Sequence, residues 1–379
     1  MAGFSHYPFG TSQVAGTRAG QCARPCTGEC RGKCAGAFGA GAADALVPWC
    51  CALVLLLIGA ACHRASPQDS GAVHSGERLA PGVLSRDREF IVAMSLDARE
   101  AVLSRRTFEG VAFDRRIGLV WSERTEVGAG SDWSLPRPLA WSDSTALEID
   151  PVVMPGTGDL LFNSTRGGEG RGRDQRDFDI WIAPRERTGW GAPRRLPAPV
   201  NSPVDDYFAT IACNGTLYFA RADNGPPRRS AIFRSRPVGG ALSAAAHDAP
   251  YAAPESLAVI NVSGQVSNAA IAADESLILL VDTRASGQGD SDLYVSARQG
   301  TSWSEPVPLR GVNTAAAEFA PAFSPDGQWL FFARMQRGRA GEAPIVSENV
   351  YAIRLRDALP LGIAVPGMAP RDCRSSRGR

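Results

Sequence analysis

Carboxylates recur along this chain at an even interval. Glu89, Glu148, Asp206 and Glu318 each open a phrase that is written five times, and Val266 stands in the same place in the fourth copy. Arranged about an axis, these side chains would ring one mouth of a channel. Like charges in a narrow funnel gather a cation or a basic ligand. Two carboxylates facing each other at roughly 5–10 Å beside aromatic walls would suit glycoside hydrolysis. A third arrangement needs no ligand: each carboxylate accepts backbone N–H groups between units and belongs to the fold.

Arginine is the other recurrent chemistry. STRGGEGRGRDQRDF holds Arg166, Arg171 and Arg173, and ARMQRGRAGEAPIVSE holds Arg334, Arg337 and Arg339. Guanidinium forks on loops suit carboxylate, phosphate or sugar partners, or simply face solvent. GDSDLY and RDFDIW space two aspartates one residue apart, but no further ligands follow as a Ca²⁺ loop requires, so no metal is expected. Histidine occurs only at positions 6, 63, 74 and 247, without the partners of a nucleophilic triad. Neither a P-loop, HExxH, GxSxG nor a dinucleotide-binding glycine pattern is present. The sequence names no catalytic residue and no cofactor, although carboxylates on a channel leave glycan hydrolysis open.

Cys22, Cys26, Cys30 and Cys34 form a ladder with a spacing of four. Zinc and iron–sulfur sites favour paired C-x₂-C spacings. Pro25, Gly28 and Gly32 oppose the helix that would align the thiols. A start codon assigned too far upstream explains the ladder equally well. Downstream, WCCALVLLLIGAAC (49–62) is too short to span a bilayer comfortably and reads as a signal-peptide core. Its Gly59-Ala60-Ala61-Cys62 ending resembles a bacterial lipobox, which implies lipidation at Cys62; a plain signal peptide or an N-terminal membrane anchor are the alternatives. Residues 63–76 are polar and small, as a tether would be. Only Cys213 and Cys373 follow Cys62, so the exported body is expected to rely on burial rather than on a disulfide framework. A net charge of +1 gives no pull toward nucleic acid.

The elements that position these groups are short strands. EFIVAMSLDAREAVLSR, EIDPVVMPGTGDLLFNS, DYFATIACNGTLYFAR, VSNAAIAADESLILLVD and EFAPAFSPDGQWLFFAR start 59, 58, 60 and 52 residues apart. Such a period marks a repeat architecture. Each phrase is two strands about a tight turn such as Asn214-Gly215 or Asp326-Gly327. A third strand follows a Gly/Arg-rich loop, as in DIWIAPR and DLYVSAR. WSLPRPL, WGAPRRL and WSEPVPL then read as outer, proline-tolerant strands. Four short strands per unit build a β-propeller blade.

SPDGQWLFFA, D-[IL]-[WY] and W-[SG]-x-P resemble the PD40, or WD40-like, repeat of the TolB propeller domain. The resemblance covers residues 77–357 and implies an all-β propeller with a protein-interaction role at the bacterial envelope. The fifth unit lacks an outer strand, and ERLAPGVLS (77–85) resembles RRLPAPVNS (194–202), the outer end of the second. An N-terminal strand completing the last blade would close five blades into a ring. TolB-like propellers usually have six blades, so a degenerate sixth within 235–262 is the alternative. Residues 358–379 read as a tail. The expectation is an exported, lipid-anchored, monomeric scaffold with an envelope protein as partner; a carbohydrate- or small-ligand-binding propeller and a glycan hydrolase are the competing readings.

Overall fold

The computed structural model describes residues 75–373, except 87, 107–116, 126–131, 168–176, 224, 240–249, 285 and 339–344. The cysteine ladder, the lipobox with Cys62, and Arg171, Arg173 and Arg339 lie outside the described residues.

Each copy of the phrase folds into one antiparallel sheet, and five sheets form the blades of a propeller. Blade 1 runs outward through Glu89–Met94, Glu100–Arg106, Ile117–Glu123 and Arg137–Pro138. Blade 2 comprises Glu148–Val153, Leu160–Ser164, Asp179–Ala183 and Arg194–Arg195. Blade 3 comprises Asp205–Ile211, Leu217–Ala222, Ser230–Ser235 and Glu255–Ser256. Glu255–Ser256 lies in the stretch considered for a sixth blade; it pairs instead with Phe233 and Arg234 as the outer strand of blade 3. In blade 4, Val266–Ile271, Leu277–Asp282 and Asp292–Gln299 are followed by two short strands, Ser302–Trp303 and Val307–Pro308, both paired to the third. Blade 5 has Ala317–Phe323, Trp329–Arg337 and Ile345–Arg354.

Blade 5 takes its fourth strand from the other end of the chain: Glu77–Arg78 pairs with Ala352 and Tyr351. This closes the ring as the sequence predicts and leaves no open seam between first and last blades. The hairpin turns are set by their own side chains. Ser324 Oγ meets Asp326 Oδ1 at 2.5 Å, and these atoms accept the N–H groups of Trp329 and Gln328 at 2.9 and 3.0 Å. Gly327 takes the left-handed conformation that this turn needs, at φ +65°. Ser95 and Asp97 make the same turn in blade 1. Second strands such as Leu160–Ser164 and Leu277–Asp282 are buried along their whole length, as strands covered on both faces must be.

A feature absent from the sequence reading recurs in every inner strand, two residues after the residue that opens each phrase. Ile91, Asp150, Phe208, Asn268 and Ala320 all lie in the left-handed region, with φ between +48° and +56°. The pairing register slips there in each blade, so the inner strand carries one β-bulge at one height in all five. For non-glycine residues this conformation costs about 1–2 kcal/mol each. Hydrogen bonds from the preceding blade hold two of them. Asp150 N–H donates to Ser104 Oγ at 3.0 Å, and Phe208 N–H donates to Asn163 Oδ1 at 2.8 Å.

Candidate functional site

The inner strands begin at one mouth of the central channel, and the loops between second and third strands share that face, here called the upper one. All four repeat-equivalent carboxylates lie at this end, and each is at most 1% exposed. Each meets an arginine and the N–H groups of the loop that enters its blade. Glu89 pairs with Arg105 at 2.9 Å and accepts from Arg86 N–H at 2.6 Å. Glu148 pairs with Arg166 and accepts from Asp143 N–H at 3.3 Å. Asp206 takes Arg221 Nε at 2.5 Å and both Ser202 N–H and Ser202 Oγ at 2.6 Å. Glu318 takes Arg334 Nε at 2.6 Å, with Thr314 N–H at 2.8 Å and Thr314 Oγ1 at 2.6 Å. Blade 4 exchanges the roles: Val266 stands opposite Asp282, and Asp282 holds Arg284.

Several of the guanidinium groups also lie against aromatic rings. Arg221 lies 5.5 and 5.3 Å from the ring centres of Phe219 and Phe233, and Arg334 lies 4.6 Å from that of Tyr351. Arg166 sits among Trp141, Phe162 and Trp181. Arg334 also donates to Val312 O and Ser75 O, at 2.9 and 2.8 Å, so it ties the blade linker and the N-terminal segment together. Carboxylate, arginine and aromatic thus form one brace in each of blades 2, 3, 4 and 5, with Arg284 4.6 Å from the Tyr294 ring in blade 4, and blade 1 holds the ion pair Glu89–Arg105. In this geometry the carboxylates hold linkers to strands, and the structure brings Arg166 and Arg334 into the braces rather than onto open loops. Arg337 is different: half-exposed on the upper face, it pairs with Asp290 at 2.7 Å.

Burial shifts one of these acids and a further one at the seam of the ring. It pushes Asp206 up to about 6, against the pull of Ser202 and Arg221. It also raises Glu348, against the pull of Arg106, which it meets at 2.7 Å across the seam between blades 5 and 1. That buried pair was not singled out in the sequence; Glu348 reads there as a loop terminus. Among the described residues no cluster of three metal-ligating side chains occurs.

The lower half of the channel has another character. A cavity of about 60 Å³ is lined by inner-strand residues of every blade, among them Val92, Val152, Ile211, Ile271 and Ala322. Thr210 is its one hydroxyl, and that hydroxyl donates to Ala269 O at 2.7 Å. Pro370, from the segment after blade 5, completes the wall. This segment starts with the helix Leu355–Ala358 and then crosses the hairpin turns of three blades. Gly367 N–H donates to Asp274 in blade 4 at 2.7 Å, and Arg371 N–H donates to Pro325 O in blade 5 at 3.1 Å. Cys373 is disulfide-bonded to Cys213 in blade 3. Beside the burial that the sequence reading relies on, one disulfide closes 160 residues of sequence.

No family model matches the sequence, and no curated protein does. Solved structures similar to the chain include a TolB-designated protein of Agrobacterium tumefaciens, at 12% identity and TM-score 0.41, over 72% of this chain and 79% of that one. The Hadza microbial sialidase Hz136 aligns at 15% identity and TM-score 0.42, over 75% and 69%. An α-L-arabinofuranosidase of Lactobacillus brevis aligns at 13% identity and TM-score 0.42, over 72% and 93%. These are likenesses of chain path and assign no family.

Proposed function

We propose that the chain is an exported, lipid-anchored propeller that serves as a non-catalytic scaffold for an envelope protein, using its upper, loop-rich face. The observation that carries this reading is the state of the acids. Each carboxylate that a hydrolase would need at the channel mouth is committed to an arginine and to backbone N–H groups. A carboxylate held in this way is not a free nucleophile. The lower mouth is crossed by the chain's own C-terminal segment, so the upper face is the broad surface left to a partner. The disulfide fits an oxidising compartment outside the cytoplasm, and Cys62 supplies the anchor.

The test is capture from envelope extract with the full-length chain, wild type against Arg337→Glu. Enrichment of a protein that the charge reversal weakens supports the reading. A saturable glycan-array signal with no protein enriched overturns it. Cys62→Ala should release the chain from membranes, and an unlipidated chain that stays bound would remove the anchor from the proposal.

A further inference from the structure

We infer that the lower channel is a binding site for a small apolar ligand, and that the C-terminal segment is its lid, latched by the Cys213–Cys373 disulfide. The cavity walls come from all five blades, and apart from Thr210 the contributing side chains are apolar, mostly valine, isoleucine, alanine and proline with Met94, Leu96 and Phe323. Its only hydroxyl is already committed to the backbone. Side chains of this kind carry no charge, so the cavity favours a small apolar molecule over an ion.

The lid is held at few points. Pro370 lies in the wall, flanked by two backbone hydrogen bonds, Gly367 N–H to Asp274 and Arg371 N–H to Pro325 O. Leu359 and Ile363 pack against the core, but Leu361, Val365 and Met368 are exposed, so beyond Ile363 little apolar area fastens the segment to the blades. The disulfide is the strongest attachment beyond the helix. Met368 Sδ lies 3.2 Å from Cys213 Sγ, and Cys213 is only half-buried, which leaves the bond open to attack by a thiolate. In that step a dithiol gives two electrons and two protons to the disulfide. The dithiol becomes a disulfide, Cys213 and Cys373 become thiols, and Pro370 is freed to leave the cavity mouth.

The inference concerns the face opposite Arg337, so it stands or falls apart from the scaffold reading. The probe is xenon, which a cavity of about 60 Å³ can hold, followed by its NMR chemical shift as it is titrated against the full-length chain with and without dithiothreitol. Saturable one-to-one binding at least tenfold tighter after reduction is expected. Cys373→Ser should reproduce the tighter binding without reductant, and Ala322→Phe, which fills the cavity, should abolish it. Arg337→Glu should leave it unchanged. Equal affinity in the oxidised and reduced chain would overturn the proposal, as would binding that survives Ala322→Phe in a folded variant. Should Ala322→Phe fail to fold, the comparison of oxidised, reduced and Cys373→Ser chains still decides.

Discussion

Arg334→Met isolates what one brace contributes. Glu318 is fully buried, so removing its guanidinium partner leaves a carboxylate that water cannot reach. Breaking a buried pair from one side costs about 3–5 kcal/mol. Arg334 also donates to Ser75 O and Val312 O, and these losses overlap with the first rather than adding to it. Methionine keeps an apolar stem against Tyr351, so the loss is charge and hydrogen bonding more than packing. The expected total is about 3–5 kcal/mol. At an m-value of about 3 kcal/mol/M, this lowers the urea midpoint by roughly 1–2 M. Arg337→Met is the control: its pair with Asp290 is 42% and 54% exposed, and such pairs contribute about 1 kcal/mol or less. Tryptophan fluorescence follows unfolding in both. Adding Glu318→Gln to Arg334→Met should recover more than about 1 kcal/mol, because no charge is then stranded. If Arg334→Met shifts the midpoint no further than Arg337→Met, the brace is not structural, and the case against a working carboxylate at this mouth collapses with it.

Cys373→Ser should lower stability as well, through the unfolded chain. Chain-entropy arithmetic for a closure of 160 residues gives about 5 kcal/mol, and a loss under about 1 kcal/mol in denaturant unfolding would contradict it. Asp206 makes stability depend on pH in an unusual sense. Its folded value of about 6 lies above the ordinary 3.8, so the folded chain binds a proton between about pH 6 and 4 that the unfolded chain does not. This contribution is absent above pH 6 and grows as pH falls, to about 3 kcal/mol for a shift of about two units. Asp206→Asn should remove that rise; a stability–pH profile parallel to wild type over this range would refute the assignment. Ala320 and Ala317 share an inner strand, but only Ala320 has φ above zero. Ala317→Gly should therefore cost about 1 kcal/mol more than Ala320→Gly in the same unfolding assay.

How far the structure was readable depended on whether a feature is written locally. The turns were readable because Ser324, Asp326 and Gly327 act within five residues of one another. The closing strand was readable because the ring forces Glu77–Arg78 to repeat the pattern of Arg194–Arg195. The braces were half readable. Glu318 and Arg334 are direct cross-strand partners, as are Glu89 and Arg105 or Asp206 and Arg221, so the hairpin register already places each arginine opposite its acid. Assigning Arg334 to a loop ignores that register, whereas Arg166 lies two residues beyond Ser164, which stands opposite Glu148, and reaches its acid from outside the ladder. The bulges left no signal of that kind. Ile91 and Phe208 are residues that avoid positive φ, and what holds the bulge at Phe208 is Asn163 of the neighbouring blade, 45 residues away. The lid is the extreme case, since Cys213 and Cys373 sit in unremarkable surroundings 160 residues apart and meet only because the ring brings the tail back beneath blade 3. Radial closure turns distant residues into neighbours, and contacts of that kind are placed by the closure rather than by any local motif.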